Sequence, residues 1–244
     1  MRHDMIEPPL TDDSGYRVTP ADLSFLGIAD ASFAAFRRQQ YPLGCDPDEW
    51  KQFVESLQQA LEIEGITDAQ VRLQGSAARF FAGRHKTMPY GKEEIADLFL
   101  SLRGRTPSLF ESERTARALA ETWPDEDGRP RRRPFDALYR LRIDRNPSDI
   151  DVQVSSAQIL DRVKLHLARA GLPPSQLLVE NPKYAFIRKQ HIAVTCPYLT
   201  NWHLVQSDIL DRPVTLAVFG GDGPPRLDDL PQSSHHQPGD WLVR

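Results

Sequence analysis

The sequence predicts an α+β protein built on a mixed β-sheet with helices packed around it. Three observations lead there. Two apolar runs with strand character, DIDVQV at 149–154 and PVTLAVF at 213–219, lie far apart in the chain. Between and before them lie segments whose apolar residues recur every three or four positions, as in amphipathic helices. The two kinds of segment mix without strict βαβ alternation, which points to α+β or a mixed sheet.

The elements follow in chain order. Residues 1–20 are polar and contain prolines, and read as a loose arm or an edge strand. Residues 21–40 suggest one helix or two short ones. Over 47–64, Trp50, Phe53, Val54, Leu57 and Leu61 mark an amphipathic helix that ends at Gly65. Val71 and Leu73 alternate with polar neighbours as a short strand, which runs through Gly75 and Ser76 into a helix from Ala77.

A helical insertion is expected at about 84–137. Its first helix stands on Ile95, Leu98, Phe99 and Leu102, and its second opens with a Ser108/Glu111 capping box. The stretch PDEDGRPRRRPFD is a charged, proline-rich loop. LYRLRI, from Leu138, alternates as a strand. NPS turns the chain into DIDVQV, and Ser156 caps a helix ending at Gly171. Short strands are expected at 177–180, 184–187 and 191–195, a helix at 199–210, and a strand at 213–219. The segment at about 220–244, rich in Pro, Gly, Asp and His, is expected to be irregular. The whole chain, 1–244, reads as a single domain.

Composition narrows the function classes. The 244 residues suffice for a sizeable core, and the net charge of −4 gives no overall positive field toward nucleic acid or an acidic membrane. Any such binding needs a local basic patch. No apolar run approaches the roughly 20 residues of a membrane helix. MRHDMIEPPLTDDSG lacks the basic start and apolar core of a secretory signal. Cys45 and Cys196 are isolated, with no metal-type spacing, and fit reduced thiols. The expected setting is cytoplasmic, without a membrane partner.

The chemistry centres on Asp149 and Asp151. Alternate side chains of a strand share a face, so these carboxylates point the same way, about 7 Å apart. Two like charges on one face repel unless a cation lies between them. Mg²⁺ (or Mn²⁺) suits this place, since it takes oxygen ligands and is held by one or two carboxylates together with substrate phosphates. A solvated strand end is the plain alternative. Ile150, Val152 and Val154 weigh against it, because they give the strand one buried face and leave the aspartates on the other. Gly75 and Ser76 sit at a strand-to-helix junction, where backbone N–H groups can approach a phosphate closely.

A strand, Gly-Ser, a helix and a later Asp-x-Asp strand together resemble the signature of the DNA polymerase β-like nucleotidyltransferase superfamily. The matching residues are Gly75, Ser76, Asp149 and Asp151. The resemblance implies a mixed sheet core, two Mg²⁺ ions, and transfer of a nucleoside monophosphate from an NTP to a hydroxyl or phosphate with release of pyrophosphate. The acceptor stays open: RNA, a protein side chain, a small molecule or a second nucleotide.

The chain departs from that pattern in two ways. About seventy residues separate the two elements, and an insertion of that size beside a site often acts as a lid or platform. The family also places a third carboxylate on a later strand, whereas in PVTLAVF the position facing the site is Thr215. Asp211 and Glu180 are the candidates for that third acid. Without one, the chain reads alternatively as a catalytically degenerate nucleotide-binding or interaction protein on the same scaffold.

Arg79 and Lys86, with Arg84 and His85, follow Gly-Ser closely enough to reach a triphosphate, or else form a solvated basic face. Arg131, Arg132 and Arg133 read as a solvated loop. Lys183, Arg188 and Lys189 flank Tyr184 and Phe186, which could stack on a base or belong to the core. His191 and His203 have no zinc-type spacing.

Overall fold

A computed structural model describes residues 10–180, 184–224, 236–237 and 239–244. Along the chain run α1 (Pro20–Leu26), α2 (Asp30–Arg37), α3 (Pro47–Ile63), β1 (Gln70–Gln74), α4 (Gly75–Arg79), α5 (Lys92–Arg103), α6 (Leu109–Thr122) and α7 (Ala137–Arg140). Then follow β2 (Ile150–Ser155), α8 (Ala157–Arg169), α9 (Lys189–Thr195), α10 (Pro197–Ile209), β3 (Val214–Phe219) and β4 (Trp241–Leu242). The class is mixed helix and sheet, with one four-stranded mixed sheet among the described residues.

The strand order is β3-β2-β1-β4. β2 runs antiparallel to β1 and parallel to β3, and β4 pairs antiparallel with β1. One face of the sheet is apolar. Val71, Leu73, Ile150, Val152, Val154, Val214, Leu216 and Val218 are all buried there, as the period-two pattern requires. The helices close over this face. Phe53 of α3 meets Trp202 of α10 edge to face at 5.0 Å, and the Trp202 indole N–H donates to Ser56 Oγ at 3.0 Å. Burying the ring is therefore compatible with satisfying its donor.

Several local signals act as expected. Ser108 caps α6 through a reciprocal capping box with Glu111, and α3 is capped in the same way by Asp46, a cap that was not among the expectations. Ser156 Oγ accepts the N–H of Ile159 at the start of α8, and donates to Asp68, which ties α8 to the segment before β1.

Three expectations fail locally. LYRLRI is not a strand: residues 137–140 form α7, entered through Asp136 at φ +58°, and the segment then turns into β2. Residues 191–195 belong to α9, a helix. The expected strands at 177–180 and 184–187 reduce to one isolated bridge, Leu178 to Ile187. Six or fewer residues of alternating apolarity fit a turn-rich or helical path as well as a strand, and packing decides. In the tail, Trp241–Leu242 is ordered as β4, with Trp241 buried against the core.

Because β1 and β2 are antiparallel neighbours, the end of β1 and the start of β2 lie side by side. Gln74 pairs with Asp151. The segment holding α5 and α6 therefore leaves and returns at one end of the sheet.

Candidate functional site

The polar face of the sheet is where the sequence-selected residues meet. Asp151 lies between Gln74 of β1 and Thr215 of β3 in strand register. Asp149 precedes β2 by one residue and shares the face of Asp151. The turn before it is braced. Asp136 and Ser148 exchange backbone-to-side-chain hydrogen bonds at 2.6 and 2.8 Å. Arg212 donates to Ser148 O at 2.6 Å and pairs with Asp136 at 3.3 Å. These groups fix the entry to β2 and hence the position of Asp149.

Gly75 has φ +75°, and a Cβ built there would collide with the Asp151 carboxylate, lying only 3.3 Å from its Cγ. The glycine is thus needed twice: for a left-handed backbone and for the approach of a carboxylate. Asp151 is held in that approach by the Thr215 hydroxyl, which donates to Oδ1. Asp149 is pushed up to about 7 by burial first, and then by the charge of Asp151, while Lys86 acts in the opposite direction. Two carboxylates that cannot both ionise cheaply are a site that favours a cation.

These residues line a cavity of about 830 Å³. Of the sequence-selected residues, Gly75, Ser76, Arg79, Lys86, Asp149 and Asp151 all border it. Arg84 and Arg132 border it too, as do Tyr184, Phe186 and Lys189. Lys183 lies outside the described residues.

The candidate third acids are elsewhere. Glu180 is 90% exposed on its side chain and pairs with Arg188 at 3.3 Å. Asp211 is exposed in the turn before β3, at φ +46°. Neither lines the cavity; the neighbour of Asp151 on β3 is Thr215. Among the described residues no group of three or more His, Cys, Asp or Glu side chains is arranged to hold a metal ion. The pair Asp149/Asp151 remains, with hard oxygen donors of the kind Mg²⁺ or Mn²⁺ takes when phosphates complete the shell.

Sequence reasoning missed Asp240. Its side chain is fully buried, Arg79 Nη1 lies 3.6 Å from its Oδ1, and Gln74 Nε2 donates to its Oδ2 at 2.6 Å. Gln153 Nε2 in turn donates to Gln74 Oε1 at 2.5 Å. Burial raises Asp240 above the usual carboxylate range, opposed by the Gln237 N–H and by Arg79. This chain of contacts holds Gln74 beside Gly75 and ties Arg79, which lines the cavity, to the C-terminal segment. The only sequence signal was an acidic residue next to Trp241, far along the chain from the Asp-x-Asp strand.

No family model, no curated protein and no solved structure matches the chain. Among the described residues no helix is long and apolar enough to cross a membrane.

Proposed function

We propose that this protein is a metal-dependent nucleotidyltransferase, similar to the DNA polymerase β-like superfamily, which moves a nucleoside monophosphate from an NTP to a hydroxyl or phosphate acceptor and releases pyrophosphate. The observation that carries the reading is the meeting of Gly75, Asp149 and Asp151 at adjacent strand ends, in a cavity walled by Arg79, Lys86 and Arg132.

Asp149 and Asp151 would hold Mg²⁺ or Mn²⁺. Such an ion, when bound, neutralises phosphate charge and lowers the cost of forming the attacking oxyanion. The chain's own residues do the rest. Arg79 and Lys86, close enough to Asp151 and Asp149 respectively to act on them electrostatically, would counter the charge gathering on the departing pyrophosphate. In the transfer the acceptor oxygen bonds to the α-phosphorus, the bond from that phosphorus to the β-bridging oxygen breaks, and the acceptor proton passes to solvent. Tyr184, 40% exposed, and Phe186 offer flat apolar surface for a base. Two buried free thiols, Cys45 and Cys196, suit a cytoplasmic setting.

The test is a transfer assay with each α-labelled NTP, Mg²⁺ or Mn²⁺, and total RNA, beside an Asp149→Ala/Asp151→Ala control. Label moving to RNA, protein or a new small product, and lost in the control, supports the transferase and names its acceptor class. The position of Thr215 favours a second reading, a nucleotide binder that does not transfer. That reading expects metal-dependent NTP binding with no pyrophosphate released.

A further inference from the structure

The chain's own N-terminal arm puts a carboxylate on the cationic wall of the cavity. Thr11 and Arg17 form an isolated antiparallel bridge, and the turn between them is organised by Asp12. Asp12 is buried. Its Oδ1 accepts from the Ser14 N–H at 2.8 Å, the Ser14 hydroxyl at 2.6 Å and the Tyr16 N–H at 3.1 Å. Its Oδ2 accepts from the N–H groups of Arg131 and Arg132 at 2.9 and 3.3 Å. These bonds anchor the arm to the Arg131–Arg132 loop independently of Asp13.

Asp13 is placed differently. Its side chain is 42% exposed and borders the cavity. Arg84 Nε lies 2.8 Å from its Oδ2, and Arg132 Nη1 donates to its Oδ1 at 3.0 Å. Arg132 is fixed from behind, its Nε donating to Ala82 O at 2.8 Å and its Nη2 to the same oxygen. Its guanidinium therefore keeps its position whether or not Asp13 stays. Arg79 is near enough to repel Arg132 and to attract Asp151, and Lys86 acts on Asp149. These cations share one cavity with the carboxylate pair, and Asp13 pairs with two of them.

We propose that Arg84 and Arg132 form a subsite for the terminal phosphate of a polyphosphate chain, and that Asp13 is its resident occupant, displaced when the phosphate enters. A guanidinium fork accepts phosphate and carboxylate with the same geometry, but phosphate brings more charge and more acceptor oxygens. The Arg84–Asp13 contact is a solvent-exposed ion pair, the kind that is cheap to exchange, whereas Arg132, 16% exposed, stays in place on Ala82 O. The anion chemistry of the subsite stands by itself; its assignment to the terminal phosphate of an NTP rests on the transferase reading.

The probe is inorganic tripolyphosphate with excess Mg²⁺, titrated calorimetrically at low salt into the full chain and into two variants. Asp13→Asn removes the competitor and should tighten binding about three- to five-fold, the scale of exposed ion pairs. Arg84→Ala, whose side chain is 77% exposed and bonded to Asp13, should weaken binding by a similar factor. Both effects should shrink as salt is raised. Asp13→Asn binding equally or more weakly would overturn the proposal, since Asp13 would then be positioning the arginines and not occupying their site. So would a parent protein and variants that bind no tripolyphosphate. The probe carries no nucleoside. A normal response here with no label transfer therefore refutes only the transferase, and transfer without this response refutes only the displacement.

Discussion

Replacing Gly75 with alanine tests the geometry on which the site depends. Two costs are separable. The first belongs to the backbone: φ at Gly75 is +75°, and an L-residue in the left-handed region loses about 1–2 kcal/mol. The second belongs to Asp151. The new Cβ would overlap its carboxylate, and moving that carboxylate breaks the hydrogen bond from Thr215, which as a bond to a charged group is worth about 1.5 kcal/mol. The total is about 3 kcal/mol, or about 6–12 °C in melting temperature for a chain of this size. The two parts are resolved by a double-mutant cycle measured by urea denaturation in EDTA. With Asp151→Ala in the background, only the backbone cost should remain, because the Asp151 Cβ lies at an ordinary 3.5 Å. An equal cost in both backgrounds would refute the close approach of Gly75 to the carboxylate. No cost in either would refute the left-handed backbone as well.

Burial and Asp151 hold the Asp149 proton up to about 7. From about pH 4 to 7 the unfolded chain has released it and the folded chain has not, so this group's contribution to stability falls as pH rises. In EDTA, Asp149→Asn should therefore melt above the parent at pH 8 and lose that advantage as pH is lowered toward 4; a difference independent of pH, or of opposite sign, would count against the raised carboxyl. Asp240→Ala strips a buried partner from Arg79 and an acceptor from Gln74, and should cost about 3 kcal/mol in urea denaturation. Asp240→Asn, which keeps an acceptor for Gln74, should cost less, and equal losses would argue that side-chain volume alone matters there.

Much of this arrangement was legible because it follows a strict period. Val71 and Leu73, then Ile150, Val152 and Val154, then Leu216 and Val218 alternate along strands whose one face is buried. That alternation forces Asp149 and Asp151 onto the opposite face. The capping box at Ser108 is short-range chemistry and acts as its spacing indicates. Illegible were the segments whose conformation is decided by distant partners. Residues 137–140 become helical because Asp136, bonded to Ser148 and Arg212, turns the chain before them. Trp241 forms a strand because the outer edge of β1 is available to it. A two-residue strand has no period of its own to detect.

The same division runs through the site. The carboxylate pair and the Gly75 junction come from the sheet, where sequence pattern and structure agree. The charges around them come from separate segments. Arg84 and Lys86 follow α4, Arg132 returns on the far side of the insertion, and Asp240 arrives with the C-terminal strand to hold Arg79. The bridges Phe81 to Pro134 and Thr87 to Arg132 tie the two ends of the insertion together. Arg133 Nε donates to Thr87 O at 2.8 Å across the same seam. The RPRRRP stretch, which in sequence looks like solvated charge, is thereby clipped beside the cavity, and one of its arginines becomes part of the wall. Charge placed this way is preorganised: Arg132 is already fixed by Ala82 O, so little reorganisation would oppose an anion binding there. The segment between Gly75 and Asp149 is therefore best understood as the part of the chain that supplies most of the cations the sheet cannot, since every polar position on the β2 and β3 faces near the pair is acidic or neutral.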